Sequence, residues 1–118
     1  MYYAAEGNPV TWERFYADAA CQLYPVIFGL NAPTDFRSVT LFNRFKTAHG
    51  AAWQNLTADA FPWTILSYAY AKMKDYASVD QYLQNCKTTY IDTGNLYPWH
   101  CGEAGFILRT AAYMKSLN

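Results

Sequence analysis

The chain has 118 residues, as many acidic as basic side chains, and a composition that is 53% hydrophobic but only 15% charged. That length fits one domain with a real core. A formal charge of zero with no basic stripe argues against a nucleic-acid partner, and no apolar run approaches the roughly 18 residues of a membrane-spanning helix. Residues 1–6 show neither the basic nor the apolar region of a signal peptide, so the sequence assigns no localisation.

The spacing predicts helices throughout. Asn8-Pro9 reads as an N-cap followed by proline at the first helical position. A first helix is expected from about Pro9 to Leu23 or Tyr24, with Trp12, Phe15, Tyr16, Ala19, Ala20 and Leu23 on its apolar stripe. Pro25 should end or kink it, and 25–30 should add one apolar turn closed by Gly29. Thr34 or Asp35 should cap a second helix carrying Val39, Leu41, Phe42 and Phe45 and stopped by Gly50. His49 would then serve as a cation at that helix's C-terminus. Residues 50–58 read as a loop holding Trp53.

A third helix is expected to open at Phe61-Pro62-Trp63 and run to about Met73. Asp75 or Ser78 should cap a fourth, with Val79, Tyr82, Leu83, Cys86 and Tyr90 facing inward. After the turn-rich 92–95, a fifth should start at Pro98-Trp99 and reach about Met114. No strand pattern competes, so the expected fold is all-α, about five helices in antiparallel hairpins joined by short links, in one domain over 1–118. The odd-numbered helices would then run in one direction and bring Trp12, Trp63 and Trp99 to the same end. Pro62 and Pro98 lie 36 residues apart, close to a two-helix repeat, though the two units otherwise match poorly.

Eleven Tyr and four Trp are many half-polar rings for so small a body, and such rings favour interfaces or pockets for flat ligands. Cys21, Cys86 and Cys101 are an odd, widely spaced set, which suits free buried thiols better than disulfides. No cysteine–histidine cluster has metal-ligand spacing, and no cofactor is expected. Glu103 lies in the first turns of the last helix, where the helix dipole favours a carboxylate whatever its role. It is either structural or a general acid or base, with Gly102 and Gly105 beside it. Asp18, with Arg14 one turn before and Gln22 one turn after, is either a polar stripe or a cleft lining. His100 reads as a hydrogen-bonding residue at a helix start more than as a catalyst.

Three stretches carry a resemblance: Trp12-Glu13-Arg14-Phe15-Tyr16-Ala17-Asp18-Ala19-Ala20-Cys21-Gln22-Leu23-Tyr24-Pro25, then Phe61-Pro62-Trp63, then Tyr97-Pro98-Trp99-His100-Cys101-Gly102-Glu103-Ala104-Gly105-Phe106. Together they resemble the C-terminal third of bacterial α/α-toroid (six-hairpin) glycoside hydrolases. The resemblance implies a partial toroid, a fragment of a longer chain, with an oligosaccharide as ligand. Trp12, Trp63, Trp99, His100 and Gln22 would be substrate-binding, and Glu103 and Asp18 the candidate catalytic carboxylates. Glycoside hydrolysis needs two carboxylates across a cleft, and an isolated third of the ring is expected to lack a complete pair. The apolar surplus would face the remaining hairpins or a second copy. Two other readings stay open: a helical-repeat protein-interaction module, and a small all-α oligomer.

Overall fold

The computed structural model describes residues 10–94 and 100–118. They form an all-α structure: six α-helices, and no strand, among the described residues. The helices are α1 (Tyr24–Ile27), α2 (Phe36–Phe45), α3 (Ala51–Gln54), α4 (Ile65–Lys72), α5 (Tyr76–Cys86) and α6 (Cys101–Ser116).

α4 is the centre, and α1, α5 and α6 all pack on it. Leu66, Ser67, Tyr68, Ala69, Tyr70 and Ala71 are buried in succession, as expected for a helix covered on every side. Its serine is paired inside the core. Ser67 donates to the Thr64 carbonyl at 2.6 Å and shares a 2.8 Å hydrogen bond with Thr110, the one buried residue of α6. α4 reaches α5 through a three-residue link, and contact across so short a link makes the pair a hairpin. Asp75 caps α5, as the sequence suggests, and also pairs with Lys46 from the segment after α2.

The expected first helix does not form as one rod. Its proposed cap, Asn8-Pro9, lies outside the described residues; residues 10–14 are not helical, and Phe15–Ala19 is a π-type turn broken by Tyr16 in an extended conformation (φ −106°, ψ 136°). Polar side chains on the would-be helix bind backbone instead. Asp18 accepts the Thr11 N–H at 3.0 Å, and the Gln22 amide donates to the Asp18 carbonyl at 2.8 Å. Such local bonds compete directly with the helical ladder. Pro25 sits in the first turn of α1, where its missing N–H costs nothing, and Gly29 ends that helix with φ +74°.

α2 is capped by Asp35, which accepts the Arg37 N–H at 2.8 Å. Its buried stripe is Ser38, Leu41, Phe42 and Phe45, whereas Val39 faces out. Gly50 does not stop the helix. Its backbone is helical (φ −56°, ψ −46°), and the chain runs through a π-helical turn, Lys46–Gly50, into α3. A side chain there would meet the Tyr70 hydroxyl 3.3 Å from its Cβ, so this glycine is a packing residue. Trp53 consequently lies on helix rather than loop and is buried. Its ring stacks between Tyr70 (centroids 4.3 Å apart) and Tyr82 (4.0 Å).

The real stop follows at Leu56, whose φ is +60°. There the Thr57 N–H reaches the Ala52 carbonyl and the Leu56 N–H reaches that of Trp53. Lys74 (φ +64°) closes α4 through the same pair of bonds, from Asp75 to Tyr70 and from Lys74 to Ala71. A side chain in this left-handed conformation costs about 1 kcal/mol that glycine avoids. α5 keeps Val79, Tyr82 and Cys86 inward and continues through a third π-helical segment, Lys87–Asp92.

Candidate functional site

The stretch Phe61-Pro62-Trp63 does not open α4. Pro62 is buried, Trp63 adopts φ +50°, and the helix starts only at Ile65. A left-handed tryptophan is strained. It is held by its own carbonyl, which accepts the Trp53 indole N–H at 3.3 Å, and by the Phe15 ring edge at 5.6 Å. The half-buried Trp63 ring joins a row. Tyr16 lies 4.6 Å from it at a tilt of 31°, Phe61 lies 6.1 Å away, and His100 continues 5.8 Å beyond Phe61. Tyr16 is 53% exposed and Phe61 43%, and His100 is exposed too, so this row is a surface. The extended backbone at Tyr16, which broke the expected helix, is what turns that ring outward.

Behind the row, α6 holds the entry to α4. The N–H of Thr64 donates to Glu103 Oε2 at 2.8 Å. The Thr64 hydroxyl lies 2.7 Å from both that oxygen and the Glu103 carbonyl. Thr64 is fully buried and Glu103 half-buried. The carboxylate thus caps a helix other than its own, at the end where the dipole favours an anion. Its second oxygen, Oε1, has no hydrogen-bond partner among the described residues. Both Tyr24 and Cys86 feel this charge. Burial first, then Cys21 and Tyr16, push the Tyr24 hydroxyl up to about 12, with Glu103 adding a smaller push. Cys86 rises to about 11: burial raises it most, the adjacent Tyr82 hydroxyl lowers it, and Glu103 adds a smaller push. Burial also raises Cys21. These two thiols therefore stay protonated at neutral pH, the opposite of an activated nucleophile.

Asp18 is 5% exposed and holds the Thr11 N–H, with Arg14 at 3.4 Å from the same oxygen. Gln22 is buried beside it and donates to its carbonyl. Trp12 lies in a second feature, a surface cleft of about 490 Å³ shared with Glu13, Arg44, Thr47, Ala48 and His49. The Arg44 guanidinium lies 5.8 Å from the indole centroid. His49 is not a C-terminal cation, because the helix continues past it. Its Nε2–H donates to the Trp12 carbonyl at 2.6 Å, which fixes the proton on that nitrogen, and its ring meets the edge of Phe15 at 5.5 Å. No helical spacing links Trp12 to His49, so nothing in the sequence announces this contact. Phe15 touches both His49 and Trp63, so the Trp12 cleft and the Trp63 row flank one buried ring. Trp99, expected as a third indole here, lies outside the described residues.

Among the described residues no group of three or more His, Cys, Asp or Glu side chains could hold a metal ion, and no helix is long and apolar enough to cross a membrane. No protein family matches the chain, nor does any curated protein or solved structure.

Proposed function

We propose that this chain is a carbohydrate-binding helical domain of the six-hairpin glycosidase kind, which contributes a stacking surface to a sugar cleft rather than carrying out hydrolysis by itself. The observation that carries the reading is the exposed row of Tyr16, Trp63, Phe61 and His100. Aromatic faces suit the apolar faces of pyranose rings, and a few convergent polar groups then fix orientation. His100 is a polar member of the row itself, and Glu103 holds Thr64, the residue that follows Trp63. Trp63 is pinned from behind by Trp53 and Phe15, so its ring loses little freedom when a ligand arrives. Binding is favoured over catalysis because both candidate carboxylates are committed to backbone donors, Glu103 to Thr64 and Asp18 to Thr11. The glycosidase-like motifs favour a sugar over other flat ligands.

Titration calorimetry against a panel of neutral and acidic oligosaccharides tests this, with tryptophan fluorescence as a second readout. At least one glycan should bind and change the emission, and Tyr16→Ala, an exposed change that leaves the core alone, should weaken it about tenfold. A panel with no binder at millimolar concentration, or a binder indifferent to both Tyr16→Ala and Trp63→Phe, overturns the reading.

A further inference from the structure

A separate groove of about 430 Å³ lies between α2 and the end of α4, away from the aromatic row. Its apolar lining comes from Pro33, Val39, Phe42 and Met73, and Lys72 and Lys74 also line it. The apolar surface continues outside it. Phe36, one helical turn before Val39, is 85% exposed, and Leu30, in the loop leading to α2, is 79% exposed. Exposed apolar side chains of this size, on the loop and helix that also carry Pro33 and Val39, favour an interaction surface. The cationic wall is the less expected feature. Lys74 occupies the left-handed position that closes α4, as Leu56 does after α3, whereas Gly29 holds it at the end of α1. A lysine there sacrifices stability that glycine would keep. Among the described residues Lys74 has no ion-pair partner, whereas the neighbouring Lys46 is taken by Asp75. Lys72 is partly used, donating to the Val26 carbonyl at 3.3 Å.

We propose that this groove docks an acidic amphipathic helix of a partner protein, its apolar stripe on Pro33, Val39 and Met73, above the buried Phe42, and its carboxylates on Lys74. A small molecule fits less well, because ligand pockets enclose most of their ligand, and here Phe36 and Leu30 stand outside the groove and need cover. A flat anionic membrane fits less well too, because the lining is concave. Helix-in-groove recognition supplies both the apolar anchors and the charge complement.

A displayed library of short amphipathic helices, half with Glu-rich and half with Lys-rich polar faces, tests the proposal on the whole chain. The recovered peptides should be acidic. They should lose at least tenfold in affinity on Val39→Glu and about two- to fivefold on Lys74→Gly, the worth of one surface charge pair. Lys74→Gly should also melt a few degrees higher, because it relieves the left-handed strain, so its weaker binding cannot be blamed on misfolding. No enrichment, enrichment without charge bias, or binding unchanged by both variants overturns the proposal. So does tight association with phosphatidylcholine–phosphatidylserine vesicles that the recovered peptides fail to displace.

Discussion

Replacing Glu103 by alanine removes the acceptor of the Thr64 N–H, a bond of 2.8 Å between a charged oxygen and the backbone of a fully buried residue. Charge-assisted bonds of this type contribute about 1.5–3 kcal/mol each, and a buried donor left unpaired forfeits most of that. The Thr64 hydroxyl loses less, because it keeps the Glu103 carbonyl at 2.7 Å. Glu103 itself is only half-buried, so water partly replaces the carboxylate. The balance is a loss of about 2 kcal/mol, which for a domain of this size lowers the melting temperature by roughly 6–10 °C. Glu103→Gln keeps an oxygen for the N–H and should lose less than half as much. Thermal melts followed by circular dichroism at 222 nm measure both. If Glu103→Ala melts within about 1 °C of the parent chain, the carboxylate does not hold α4 in place, and its geometry would have to be explained by another role.

Trp53→Ala empties the space between Tyr70 and Tyr82 and should cost about 3–5 kcal/mol, the usual range for deleting a large buried ring, with loss of the near-ultraviolet circular dichroism of the stack. An unchanged melt would mean that the stack is not part of the core. Asp75 has its pKa pushed up by burial but pulled further down by Lys46 and Ser78, so the net shift is downward. A lowered folded-state pKa contributes stability above the ordinary carboxylate value of 3.8 and loses it as pH falls through the folded value. Urea melts between pH 5 and pH 2 should therefore show an acid-sensitive term that Lys46→Met reduces, and equal slopes for both proteins would refute the assignment. A thiol reagent at pH 8 should modify the exposed Cys101 first and Cys86 only on denaturation, since Cys86 is buried and pushed up to about 11. Equal labelling rates for the two would contradict their placement.

The caps and periods of α2 and α5 were legible because they are local. Asp35 and Asp75 sit just before apolar stripes, and both prove to be caps. Gly29 ends its helix as expected, whereas Gly50 does not, and the difference is tertiary. Gly29 stands in the open, while Gly50 lies against the hydroxyl of Tyr70. The sequence shows two similar glycines, and only the packed neighbour separates a stop from a clearance. The first helix failed for the complementary reason. The apolar period from Trp12 to Leu23 is sound, but Asp18 and Gln22 within it bind backbone rather than leaving it to the helix. The aromatic row was half legible. Trp63 and His100 stood out as residues, but their companions Tyr16 and Phe61 depend on an extended tyrosine and a left-handed tryptophan that no spacing specifies.

Taken alone, the sequence determined an all-helical chain, the caps of α2 and α5, and a surplus of rings too large for the core to absorb. Those properties follow from interactions within one or two turns and from composition. Tertiary structure decided which of the four tryptophans went where: Trp53 into the core, Trp63 onto the surface row and Trp12 into a cleft, with Trp99 outside the described residues. It also decided that Glu103 caps a helix 39 residues away in sequence. The physical reason is the same in each case. An indole or a carboxylate at a helix start has several partners of similar free energy, and only the simultaneous packing of α4 against α1, α5 and α6 leaves one of them within reach.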